Sequence, residues 1–178
     1  VSYGLGGRLM GADWQGVLNS SERMDWGTPQ ALFDALDAEF SFSLDAAAHE
    51  QNHKCAQYLS PDDDSLSCDW LSLVGPGASV WLNPPYGRGI GRWIRKAYEE
   101  SQRGICVVVL VMVRSDTRWF RQWAMRAAEV RLIAGRVTFQ GAKASAPAPS
   151  ALLVFDEARR VPRFFVQQLP RKDENGEG

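Results

Sequence analysis

The apolar residues of this chain change period several times, and the changes mark out its elements. Residues 105–113 are nine nearly unbroken β-branched and aliphatic side chains, the pattern of a central strand buried on both faces. Leu32, Phe33, Leu36 and Phe40 instead recur at helical spacing. Just before them, Thr28 suits an N-cap and Pro29 a first helical position. Phe42, Ser43 and Leu44 predict a short strand ending at Asp45, and Val80, Trp81 and Leu82 predict another. Ile90, Trp93, Ile94, Ala97 and Tyr98 predict an amphipathic helix that Gly104 ends. A further helix carries Trp119, Phe120, Trp123 and Ala127, with Ser115 or Asp116 as its cap. Residues 130–133 and 137–139 read as two strands around Gly135, and 151–155 with 163–168 as a terminal hairpin joined near Glu157 and Ala158. Residues 46–70 are polar and irregular, with acids at Asp62, Asp63 and Asp64, and 71–78 and 141–150 read as loops. Strands alternating with helices predict an α/β fold, a mostly parallel sheet closed by a C-terminal antiparallel hairpin.

The ends carry less pattern. Residues 1–24 hold Gly4, Gly6, Gly7 and Gly11 and read as a flexible arm; Gly4 and Gly6 have no strand before them to make a nucleotide fingerprint. Residues 170–178 are charged and read as a disordered tail, leaving 25–169 as one domain. No apolar run reaches the ~18 residues of a membrane span, and no signal peptide is evident. Cys55, Cys68 and Cys106 form no CxxC pair and read as reduced packing thiols, so the expectation is a cytoplasmic protein.

Charge alters this plain picture. The net charge is −1, yet residues 88–136 hold eleven Lys or Arg against four Asp or Glu, and the remainder holds nine against seventeen. A basic segment of that kind suits a polyanionic partner, although arginines on solvated helix faces would give the same count.

The basic segment begins just after Asn83-Pro84-Pro85-Tyr86. Two prolines stop the preceding strand and fix a rigid turn at its carboxyl end, where open α/β sheets bind ligands. An exocyclic amine such as adenine N6 is a poor nucleophile, because its lone pair is delocalised into the ring. Acceptors aimed at its hydrogens favour the pyramidal nitrogen of a methyl-transfer transition state. The Asn83 side-chain oxygen and the Pro84 carbonyl can supply them, held rigid by Pro85, and the Tyr86 ring can stack on a base turned out of its duplex.

Asn83-Pro84-Pro85-Tyr86 is the signature of amino-group methyltransferases, and the chain resembles the small phage- and prophage-type DNA adenine methyltransferases (Dam-like) over residues 26–155. Trp26-x-Thr28-Pro29 is similar to their opening motif, and Phe42-x-Leu44-Asp45-x-Ala47 to their first cofactor strand. Asn52-x-Lys54-Cys55, Asp64-x-Leu66 with Trp70, Asp116-Thr117-x-Trp119-Phe120, Gly135-Arg136-x-x-Phe139 and Pro149-Ser150 continue the likeness. The resemblance implies a Rossmann-like fold and transfer of methyl from S-adenosylmethionine to adenine N6 in double-stranded DNA. It implies that Trp26, Thr28 and Pro29 hold the methionine end of that cofactor, that Asp45 lies near its amine, and that Asp64 grips its ribose. Asp45-Ala46-Ala47-Ala48 departs from the glycine-rich loop usual in methyltransferases. Arg88, Arg92, Arg114, Arg118 and Lys143 are the expected DNA contacts, with Trp93, Trp119 and Trp123 read as core. RNA and protein-glutamine methyltransferases share the tetrapeptide, and a non-catalytic nucleic-acid-binding module is a further alternative. His49-Glu50-x-x-His53 also fits a zinc-hydrolase pattern, but its polar flanks argue for a chance match, and no bound zinc is expected. The sequence leaves the oligomeric state and the target site open.

Overall fold

The computed structural model describes residues 26–159 and 163–167, with the side chains of 163, 165 and 166 excepted. The expected arm at 1–24 and tail at 170–178 lie outside the described residues. At the centre is β3, Cys106–Met112, in which Val107, Val108, Val109, Leu110 and Val111 are all fully buried. Their alternation explains burial on both sides: Val107, Val109 and Val111 enter one apolar cluster, and Val108 and Leu110 the other.

β2, Ser79–Leu82, runs parallel along one edge of β3, and β1, Phe42–Asp45, runs parallel to β2. On the other edge β5, Ser150–Phe155, is antiparallel to β3 and also to β4, Glu129–Ile133. The last strand, β6, Arg163–Gln167, lies parallel to β4. The order is therefore β1-β2-β3-β5-β4-β6, with β5 alone reversed among strands that otherwise share one direction.

The expected terminal hairpin is corrected by this order, because β4 lies between β5 and β6. Both edges of β5 are already hydrogen-bonded, one to β3 and one to β4, so β6 cannot pair with β5 and instead extends the sheet from the free edge of β4. The expected strand at 137–139 is corrected too. Val137 and Phe139 are buried, but the segment joins no strand ladder: its backbone contacts include a bond from the Ala146 amide to the Val137 carbonyl and, next to it, an isolated bridge between Gln140 and Gly27. Its apolar alternation reflects side chains plugging the core, without a ladder partner for the backbone.

α1, Gln30–Phe40, lays Leu32, Phe33, Leu36 and Phe40 on the sheet face that carries Trp81, Val108 and Leu110. Pro29, and not Thr28, occupies its N-cap, and the Pro29 carbonyl accepts from the Leu32 and Phe33 amides. A short α2, Trp70–Val74, takes the first part of the loop expected at 71–78, because Asp69 caps it through the Ser72 amide and Trp70 is fully buried; residues 75–78 form the expected loop. On the other face α3, Ile90–Ser101, and α4, Arg118–Gln122, contribute Ile90, Ile94, Ala97 and Phe120 to the core. Thr117 stands at the N-cap of α4 in place of Ser115 or Asp116. Gly104, at φ 99°, turns the chain from α3 into β3.

An ionic network ties α1 to the far half of the sheet. Arg131 makes two 2.6 Å bonds to Glu39 and two more to Glu129, and Arg159 joins Glu129 to Asp156. The Arg131 and Arg159 guanidiniums both lie over the Phe40 ring, at 5.1 and 5.3 Å.

Candidate active site

β1 and β2 end side by side, since Asp45 pairs with Trp81 and the Ala46 amide donates to the Trp81 carbonyl. The residues that follow these two strands open a cleft of about 210 Å³. Ala47 and Ala48 come from the end of β1, Asn83 and Pro85 from the end of β2, and Trp93 from α3. Leu59, Ser60, Asp64 and Ser65 form the far wall, and Trp26 closes the near side. The short alanine side chains stand where a glycine-rich loop was absent, and they keep this end of β1 open to the cleft.

Asn83 is anchored at both ends of its amide. Its Nδ2 donates to the Trp26 carbonyl at 2.5 Å, and its Oδ1 accepts from the Tyr86 hydroxyl at 3.2 Å. The Trp26 carbonyl can only accept, so it fixes the nitrogen end of the amide, and the Tyr86 hydroxyl then donates to the oxygen end. The Tyr86 hydroxyl also reaches the Leu110 carbonyl at 3.3 Å, and burial pushes its ionisation well above the usual phenol range. The Tyr86 ring meets Phe139 edge-on at 5.8 Å. Pro84 is buried and Pro85 exposed. Among the described residues no donor reaches the Pro84 carbonyl.

Of the expected cofactor residues, Trp26 and Asp64 line the cleft, whereas Thr28, Pro29 and Asp45 do not. Thr28 is buried behind Trp26, and Pro29 caps α1. Asp45 is buried beneath the turn that follows it, and its oxygens accept from the Lys54 amide at 3.0 Å and the Ala47 amide at 3.4 Å. Burial raises its carboxyl to about 6, against the opposing pull of those two amides. Asp64 takes a left-handed backbone at φ 45° and accepts from the Ser67 hydroxyl. Asp62 and Asp63 lie exposed in a 3-10 turn, Asp63 bonded back to Ser60.

The cleft also holds residues that the sequence did not assign to the site. Trp93 was read as core, and it does pack half-buried against the core cluster while also bordering the cleft. Its only sequence signal is a large aromatic within two turns of the tetrapeptide. His49 and Asn52 line the cleft from a turn, in which the His49 amide donates to Asn52 Oδ1 and the His49 carbonyl accepts from the Asn52 and His53 amides. That turn is not the helix which a paired-histidine zinc site requires. His53 stacks on Tyr58 at 4.4 Å, with Nδ1 2.8 Å from the Cys55 carbonyl.

Arg88, Arg92, Arg114, Arg118 and Lys143 are all exposed. Arg88 and Arg92 lie at the start of α3, directly after the tetrapeptide, and Arg118 begins α4. Arg114 sits 3.8 Å from Asp116, and among the described residues Arg88, Arg92, Arg118 and Lys143 have no acidic partner. None of the described helices is long and apolar enough to cross a membrane.

A family model described as DNA N-6-adenine-methyltransferase (Dam) matches residues 15–178. A DNA N-6-adenine-methyltransferase of Escherichia phage T1 is 32% identical over 114 residues, which cover 64% of this chain and 46% of that protein. A DNA N-6-adenine-methyltransferase of Haemophilus phage HP1 is 30% identical over 112 residues, covering 62% of each. The chain thus spans less than two thirds of the length of either relative.

Proposed function

The chain belongs to the DNA N-6-adenine-methyltransferase (Dam) family, and on that premise we propose that it transfers a methyl group from S-adenosylmethionine to N6 of an adenine turned out of duplex DNA. The observation that carries this reading is Asn83, held by both ends of its amide at the edge of a cleft between two parallel strand ends. A sheet with one reversed strand, β5, among five that share a direction supports a Rossmann-like methyltransferase architecture.

The lining of the cleft fits the cofactor. Trp26, Trp93, Leu59 and Leu66 offer aromatic and aliphatic surface for a purine, while the Asp64 carboxylate and the Ser60 hydroxyl oxygen offer acceptors for ribose hydroxyls. When bound, S-adenosylmethionine supplies an electrophilic methyl group.

The protein's own residues prepare the amine. Asn83 Oδ1 has two lone pairs and spends one on Tyr86, leaving the other for an amine hydrogen. The Pro84 carbonyl supplies a second acceptor, held by the flanking prolines. The rigid turn would preorganise both acceptors, so little reorganisation would be needed as the nitrogen becomes pyramidal. Tyr86 offers ring surface to the turned-out base, a contact worth roughly 1–3 kcal/mol. Extrusion is required because N6 within a duplex is out of reach. The amine proton departs after methyl transfer, so no strong general base has to sit beside Asn83. Arg88, Arg92, Arg114, Arg118 and Lys143 hold the phosphates around the opened base pair.

The test is incubation of the protein with labelled S-adenosylmethionine and mixed-sequence duplex DNA. Label recovered in N6-methyladenine, and lost in a folded Asn83→Ala variant, is the expected result. Label in RNA or protein alone would overturn the DNA assignment.

A further inference from the structure

Trp26, Asn83, Tyr86 and Phe139 form a closed ring of contacts. Asn83 Nδ2 bonds the Trp26 carbonyl, and the Trp26 ring meets the Phe139 ring edge-on at 5.3 Å. Phe139 in turn meets the Tyr86 ring edge-on at 5.8 Å, and the Tyr86 hydroxyl returns to Asn83 Oδ1 at 3.2 Å. Phe139 is only 2% exposed and does not line the cleft. It is therefore placed to act on the chemistry only through its neighbours.

The backbone around Phe139 is clamped to the same neighbours. The Gln140 amide donates to the Gly27 carbonyl at 2.8 Å, one residue beyond the Trp26 carbonyl that holds Asn83. A Cβ on Gly27 would come within 3.0 Å of Gln140 Oε1 and 3.1 Å of Gln140 Cβ, so the close approach of the two segments depends on that glycine. Lys54 Nζ reaches Gln140 Oε1 at 3.3 Å and Gln30 Oε1 at 2.8 Å, securing the outer side of the junction.

We infer that Phe139 is a positioning residue for methyl transfer: its ring wedges Trp26 and Tyr86 into the places that aim the Asn83 amide. The inference rests on the proposed role of Asn83. The bonds that orient Asn83 come from the main-chain carbonyl of Trp26, 57 residues away, and from a hydroxyl at the tip of a rotatable Tyr86 side chain, so the rigid turn alone does not hold either partner in place. Packing supplies that reason. Aromatic edge contacts have a directional preference that an aliphatic side chain of similar size does not reproduce. Replacing the ring therefore lets the acceptor oxygen drift while the core remains filled, and catalysis is more sensitive to such drift than binding is.

The experiment compares wild type, Phe139→Leu, Tyr86→Phe and the double variant, with turnover, KM for DNA and for cofactor, and thermal unfolding measured on each. Phe139→Leu is expected to lower kcat by about 10- to 100-fold. Both KM values should change less than kcat, since Phe139 touches neither partner and reaches them only through Trp26 and Tyr86. Tyr86→Phe keeps the ring and removes the hydroxyl bond to Asn83, so the double variant should lose less than the product of the single losses. A Phe139→Leu protein of lowered unfolding temperature but wild-type kcat would overturn the inference, leaving Phe139 as core filling. Strictly multiplicative losses would also overturn it, because Phe139 would then act independently of the Asn83 bond. Absence of methyl transfer by the wild type would instead refute the underlying reading of the site, and that outcome is visible before any variant is compared.

Discussion

Asn83 and Trp26 are 57 positions apart in sequence and are joined by a 2.5 Å hydrogen bond from the Asn83 amide nitrogen to the Trp26 carbonyl. The bond makes the opening segment of the domain part of the tetrapeptide site. Trp26 also lines the cleft, so in the proposed reaction one residue would both bound the cofactor space and aim the Asn83 amide.

Removing the acceptor should stop chemistry without unfolding the chain. Asn83 is half-buried, and Asn83→Ala leaves behind a backbone carbonyl and a tyrosine hydroxyl that keeps its Leu110 bond. Methyl transfer should fall by at least about 100-fold, as when a preorganised polar group is deleted from other enzymes. Single-turnover rates alongside circular dichroism check this; a folded variant of near-normal rate would remove Asn83 from the mechanism.

Trp93 should matter to binding more than to rate. It borders the cleft beside Asn83 and Pro85 and offers an aromatic wall to a purine. Trp93→Ala is expected to weaken the ligand that stacks there by about tenfold or more, in line with stacking energies of roughly 1–3 kcal/mol. Calorimetry with S-adenosylmethionine and with DNA, measured separately, identifies which purine it contacts.

Arg92 and Arg118 are exposed and lack acidic partners among the described residues. If each meets a phosphate, Arg92→Gln or Arg118→Gln should reduce the salt dependence of DNA binding by about one unit of slope while leaving kcat at saturating DNA unchanged. Fluorescence anisotropy across a salt series reads this directly. An unaltered slope would assign both arginines to solvent.

Asp45 gives a pH signature. Burial raises its carboxyl from the usual 3.8 to about 6 in the folded protein. Between those values the native state holds a proton that the unfolded chain has released. The Asp45 contribution to stability is therefore largest at acid pH and is lost as pH rises through about 6. Asp45→Asn abolishes this titration. The unfolding free energy of wild type relative to Asp45→Asn should thus fall by roughly 1–3 kcal/mol between about pH 4 and pH 7, measured by urea titration. A flat difference would place Asp45 at its ordinary value.

Arg131 lies 4% exposed between Glu39 and Glu129, and Glu129 is itself 4% exposed. Arg131→Ala would leave a buried carboxylate with only Arg159 to balance it. A loss of about 3–5 kcal/mol is expected, measurable by chemical denaturation. The cleft lies at the other side of the sheet, so cofactor affinity should be preserved.

The tetrapeptide, the central strand and both principal helices could be read along the chain, because each depends on neighbouring residues. Two prolines end β2 wherever it lies, and the period of Leu32, Phe33, Leu36 and Phe40 defines one helical face whatever packs on it. Pairing is a different kind of fact. The runs at 151–155 and 163–167 were legible as strands, but their separation by β4 depends on which sheet edges remain free when they arrive. Val137 and Phe139 were legible as buried and misread as strand, since apolar alternation reports where side chains go and not whether the backbone finds a ladder. The same limit applies at the site. The sequence by itself determined that an amide and a proline carbonyl stand together at a strand end, because Asn83, Pro84 and Pro85 are adjacent. Only the tertiary structure decided what aims it, because Trp26, Tyr86 and Phe139 meet through long-range packing that no local pattern encodes.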